Sequence, residues 1–70
     1  MNVTLHRSLN EMKNLCRRET SAQRARRMRA VMLAMEGFGA EQIAERVGLC
    51  RRAVQQWVAR FNAHDLNGLD

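Results

Sequence analysis

Ala40-Glu41-Gln42-Ile43-Ala44-Glu45-Arg46-Val47-Gly48-Leu49-Cys50-Arg51-Arg52-Ala53-Val54-Gln55-Gln56-Trp57-Val58-Ala59-Arg60-Phe61 holds two helical periods, one on each side of a glycine. Before Gly48, Ile43, Ala44 and Val47 share one face of a short helix, 40–47, for which Gly39 is an acceptable N-cap. Beyond it, Val54, Trp57, Val58 and Phe61 fall at i, i+3, i+4 and i+7, the strongest amphipathic signal in the chain, and define a helix over 51–63. Ala44 is small where two such helices must cross, Gly48 sits where the turn requires a positive φ, and Leu49 fills the corner. Ile43, Val47, Val54 and Trp57 are expected to lock the pair at a fixed angle, with Phe61 in the same core. Each position alone is a weak signal, but their joint spacing is that of a helix-turn-helix.

Any small helical bundle would bury that stripe, so the outer face has to separate a binding module from an ordinary core. Surface positions of helices are commonly Glu, Lys and Ala, whereas here they are Arg51, Arg52, Gln55 and Gln56, with no acidic residue between Glu45 and Asp65. Arg52 can donate two hydrogen bonds to guanine O6 and N7, and Gln55 or Gln56 can pair in bidentate fashion with adenine N6 and N7. Arg51 and Arg60 suit phosphate, as do some of Arg24, Arg26, Arg27 and Arg29, with Arg26 and Arg29 the candidates among them. That last cluster also reads as a solvated face, because its members point in several directions around a helix.

Upstream, Ala25, Met28, Val31, Met32 and Met35 form one stripe of a helix over 21–36, opened by a capping box from Thr20 to Gln23 and closed at Glu36-Gly37. Leu5, Leu9, Met12, Leu15 and Cys16 predict a first helix over 5–17, opened either by Thr4 or by the box from Ser8 to Glu11. The tail, 64–70, reads as a loop.

Composition agrees with this outline. Seventy residues suffice for one domain, 1–70, and not for two. Hydrophobic residues make up 46% but aromatics only 4%, and proline is absent, a palette that favours an all-α fold over strands. Twelve basic residues against seven acidic ones leave a net charge of +5, and every basic residue but Lys13 is arginine, which favours a polyanionic partner. A membrane is the competing polyanion, but no apolar run approaches the roughly 18 residues of a bilayer span. The start, MNVTLHRSLN, also lacks the order of a secretory signal. A cytoplasmic location is expected, with Cys16 and Cys50 as free thiols. Neither cysteine has neighbours at zinc-ligand spacing, so no metal or other cofactor is expected, and His6 and His64 should face solvent for the same lack of partners.

Three runs, Arg26 to Gly37, Glu41 to Leu49 and Val54 to Phe61, are similar to the N-terminal domain of bacterial mariner-like (DDE-type) insertion-sequence transposases. The closing Leu66-Asn67-Gly68-Leu69-Asp70 resembles the G-L-x-G-L-x-D stretch that follows the recognition helix in that family. The helix-turn-helix part is shared with many regulators, whereas the R-A-R…L-A-x-E-G run and the tail are more specific. The resemblance implies a four-helix homeodomain-like bundle with a C-terminal helix-turn-helix. It further implies binding to the terminal inverted repeats of a mobile element, at the bacterial nucleoid, through Arg51, Arg52, Gln55 and Gln56. In that family a catalytic domain with three carboxylates and two metal ions follows. The seven acidic residues here are scattered, so these residues are expected to be no enzyme but a fragment or truncated copy of one.

Two positions depart from the family pattern: Cys50 stands where Ser or Thr usually caps the recognition helix, and Gly39 replaces a hydroxyl cap. A lost cap costs about 1 kcal/mol, and both departures fit a decaying element. The competing reading is a free-standing transcriptional regulator that binds an operator as a dimer. The only spare apolar stripe for a dimer is Leu5, Leu9, Met12 and Leu15, which the monomer needs for its own core; weak homodimerisation is the one further contact left open. A basic amphipathic peptide acting on membranes is a third reading, and the glycine-punctuated helix-turn-helix argues against it.

Overall fold

The computed structural model describes Val3 and residues 7–69, and within them the chain forms four α-helices and a short 3-10 helix. The helices are α1 (Leu9–Arg18), α2 (Ala22–Met35), α3 (Ala40–Val47) and α4 (Arg51–His64), and the 3-10 helix spans Asp65–Leu69. The described fold is all-α.

Each boundary has a local cause. Ser8 opens α1 by accepting the Glu11 N–H at 3.2 Å; the alternative opening at Thr4, and Leu5 with it, lies outside the described residues. The cap of α2 is Ser21 and not Thr20. Its Oγ accepts the Arg24 N–H at 3.3 Å, while the Glu19 carboxylate takes the Ser21 N–H at 3.1 Å. With the cap at Ser21 the third helical residue is Arg24, whose side chain cannot accept the cap N–H, so Glu19 takes that part from upstream and the box expected one residue earlier does not form. Gly37 closes α2 with φ +98°, as the Glu36 and Phe38 N–H groups reach back to the Met32 and Leu33 carbonyls at 3.0 and 3.1 Å. Gly39 caps α3 from its backbone, and the Gln42 side chain returns to accept the Gly39 N–H at 3.1 Å.

Two clusters make the core. Ala30 and Ala34 of α2 meet Ile43 and Val47 of α3 and Val54 and Val58 of α4. A second cluster joins Met12 of α1, Met28 and Val31 of α2, Phe61 of α4 and Leu69 of the tail. At roughly 100° per residue, Met28, Val31, Ala34 and Ala30 spread over a wide arc of α2, so this helix is the central element, buried on two sides. The expected stripe of Ala25, Met28, Val31, Met32 and Met35 is only one edge of that arc. Ala25, Met32 and Met35 are half-buried, and Ala30 and Ala34 carry the contact with the helix-turn-helix.

The tail is not the loop its sequence suggests but a 3-10 helix. At Asp65 the backbone turns through φ +55°, and the 3-10 helix folds back so that Gly68 and Leu69 are buried. Leu69 is 0% exposed. A side chain at Gly68 has no room: an added Cβ would lie 2.6 Å from the Arg60 carbonyl carbon and closer still to its oxygen. Three arginines hold the tail down. Arg27 donates to the Leu69 carbonyl at 3.0 Å, Arg24 to that of Leu66 at 3.5 Å, and Arg7 pairs with the Asp65 carboxylate at 3.1 Å. Among the described residues no helix is long and apolar enough to cross a membrane.

Candidate nucleic-acid interface

The geometry of α4 is set from its buried side. Val54, Val58 and Phe61 are at most 3% exposed, which fixes the roll of the helix and turns Arg52, Gln55, Gln56, Ala59 and Arg60 outward. The turn before it is equally determined. Gly48 adopts φ +73°, and the N–H groups of Gly48 and Leu49 both reach the Ala44 carbonyl, at 3.0 and 3.2 Å. Ala44 and Leu49 are half-buried at this corner, beside the buried Ile43, Val47 and Val54. Cys50 then opens α4, its Sγ accepting the Ala53 N–H at 3.4 Å.

Trp57 does not join this junction. It is half-buried against the other cluster, to which Phe61 belongs. The reason is angular: Trp57 and Phe61 stand on the flank of α4 that meets Met28 and Val31, whereas Val54 and Val58 stand on the flank that meets α3. The Trp57 ring carries two guanidiniums, Arg27 at 4.1 Å and Arg60 at 5.2 Å from its centroid. Arg60 thus begins from an oriented position beside the outer face, bordering a hollow formed with Gln56, Trp57 and Ala59.

At the other end of the face, Arg51 pairs with Glu41 of α3 at 3.2 Å, with both side chains more than 60% exposed. A pair this open is worth at most about 1 kcal/mol, so a phosphate can compete for Arg51. Around it, Gly39, Glu41, Gln42 and Gln55 line a notch that continues the α4 surface onto the start of α3. Periodicity did not single out Glu41 and Gln42 for this edge, since both belong to the polar face of α3 under any fold.

The arginines of α2 divide. Arg24 and Arg27 hold the tail, and Glu19 also pairs with Arg24 at 3.4 Å. Arg26 is exposed. Arg29, also exposed, borders a groove lined by residues of the first three helices and the end of α2, none of them from α4. His64 is exposed, His6 lies outside the described residues, and Cys16 and Cys50 are free thiols. Among the described residues no three His, Cys, Asp or Glu side chains converge on a point where a metal ion fits.

No curated protein and no solved structure matches the chain. Residues 21–70 match the family model of the homeodomain-like domain. That span begins at the Ser21 cap of α2 and takes in the helix-turn-helix and the tail, leaving α1 outside. With well over half of its length in the match, the chain belongs to the homeodomain-like domain family, a helix-turn-helix class of DNA-binding domains.

Proposed function

We propose that this chain binds double-stranded DNA sequence-specifically, with α4 in the major groove, as the terminal-inverted-repeat-binding part of an insertion-sequence transposase. The observation that carries the binding mode is the outer face of α4, where Arg52, Gln55 and Gln56 stand exposed on a helix that has no carboxylate. Arg52 reads guanine and Gln55 or Gln56 reads adenine. Arg51, Arg60 and Arg26 engage phosphates, and Arg29, which borders the groove away from α4, is assigned no contact in this reading. The module works in the bacterial cytoplasm.

Support for the transposase assignment comes from the resemblance of Arg26–Gly37 and of Leu66–Asp70 to that family. A dimeric regulator lacks comparable support. The α1 stripe it needs as a partner surface is used internally, with Met12 fully buried and Leu15 and Cys16 packed on the second cluster.

The test is binding to a duplex ending in a candidate inverted repeat and to a scrambled duplex, over a salt series. Arg52→Ala and Gln56→Ala should each cost about 1–3 kcal/mol on the repeat and little on the scrambled duplex. Arg51→Ala should weaken both equally and reduce the salt slope by about 1. Equal, salt-sensitive binding of both duplexes that ignores Arg52 and Gln56 sinks the proposal.

A further inference from the structure

Away from α4, the first three helices enclose an open groove of about 470 Å³, lined by Lys13 of α1, Arg29, Met32 and Leu33 of α2 with its C-cap Glu36, and Arg46 and Val47 of α3. Its floor is apolar: Met32 and Leu33 are half-buried and Val47 is 7% exposed. Its rim carries three cations against one carboxylate, and Lys13, Arg29 and Arg46 are all exposed. Among the described residues none of the three is engaged by a carboxylate; Arg46 lies instead over the Phe38 ring at 4.5 Å. The groove stands apart from the α4 surface, since no α4 residue lines it.

We propose that this groove docks an acidic amphipathic helix of a partner protein, separately from the DNA-binding face. The floor accepts aliphatic side chains at i, i+3, i+4 and i+7 from one face of such a helix. The three cations attract carboxylates flanking that stripe and steer the encounter. A second nucleic acid fits less well, since it would bring phosphates and no apolar surface to Met32, Leu33 and Val47, and would meet Glu36 with like charge.

The probe is a synthetic peptide of about four turns, with Leu at those spacings and Glu elsewhere, titrated into the isotope-labelled full chain and followed by amide chemical shifts. Two controls replace every Glu by Lys or scramble the order. Shifts of the acidic peptide confined to Lys13, Arg29, Met32, Leu33, Arg46, Val47 and their neighbours are expected. Lys13→Glu combined with Arg29→Glu should raise the Kd at least about 10-fold, at unchanged thermal midpoint because both positions are exposed.

Absence of shifts at about 1 mM peptide, equal binding of either control, or shifts centred on α4 overturns the proposal. So does a loss of duplex affinity in the double charge reversal as large as that in Arg52→Ala, which would assign the groove to DNA. A concentration-dependent dimer in sedimentation that the charge reversal dissolves would assign it to a second copy of the chain, and would overturn it equally.

Discussion

The two halves of the core are built from different material. At the helix-turn-helix, Ala30, Ala34, Ile43, Val47, Val54 and Val58 let three backbones approach closely through small or β-branched side chains. Below Trp57, long side chains, Met12, Met28, Phe61 and Leu69, fill a wider space between α1, α2, α4 and the tail, and arginines close its edge. Stiff residues with one preferred rotamer hold an angle, and methionine adapts to irregular gaps. The first half therefore sets how α4 is presented, and the second supplies the bulk that keeps a very small domain folded.

The sharpest way to break this comparison is to empty each half in turn. Phe61, 0% exposed and the largest of the fully buried side chains, should cost about 3–5 kcal/mol on truncation to alanine. For a chain of this length, with roughly 4–10 kcal/mol in total, that unfolds much of the population or leaves it marginal. Val54→Ala removes less apolar volume from the other half and should cost about 2 kcal/mol. Urea titrations of both variants give the order, and a larger loss at Val54 would show that the junction, and not the lower cluster, carries the stability.

Legibility followed the same division. Helices α3 and α4 repeat their apolar residues with one clean period and are separated by a glycine whose φ is +73°, so the determinants of the turn between them lie within a short stretch of chain. The outer face of α4 was legible for the same reason, since fixing the buried side fixes the exposed one. Three features were not. Ala30 and Ala34 are weakly hydrophobic, and a helix buried on two sides has no single stripe to detect. Trp57 fits the α4 stripe but faces a different neighbour from Val54, and only the packing tells them apart. Arg24 and Arg27 clasp carbonyls of Leu66 and Leu69, 42 residues along the chain, and no local pattern announces such a contact.

The tail sharpens the comparison at intermediate scale, because it belongs to the lower half alone. Gly68→Ala places a methyl group against the Arg60 carbonyl, and either α4 shifts or the 3-10 helix lifts away. The cost should be about 1–3 kcal/mol, typical of overpacking. Amide shifts should change in 65–69 and near Arg24, Arg27 and Phe61, while Ile43, Val47 and Gly48 hold their positions. Changes spread evenly over both clusters would mean that the two halves respond as one unit.

The smallest effect belongs to the junction and runs toward greater stability. Cys50 already has the extended backbone of an N-cap, φ −81° and ψ 158°, and its Sγ stands 3.4 Å from the Ala53 nitrogen. Sulfur is a weak acceptor and a hydroxyl is a good one, so Cys50→Ser keeps the geometry and strengthens the bond. A gain of about 0.5–1 kcal/mol is expected, below the full worth of a cap because the thiol already supplies part of it. In a domain of this size that raises Tm by roughly 2–8 °C. Duplex affinity should stay within about two-fold, since the substitution lies outside Arg52, Gln55 and Gln56 and a change of that size is near 0.4 kcal/mol. An unchanged or lower Tm would mean that the start of α4 is held by the packing of Val54 and Leu49 and not by its cap, which places the whole stability of the junction in its small aliphatic contacts.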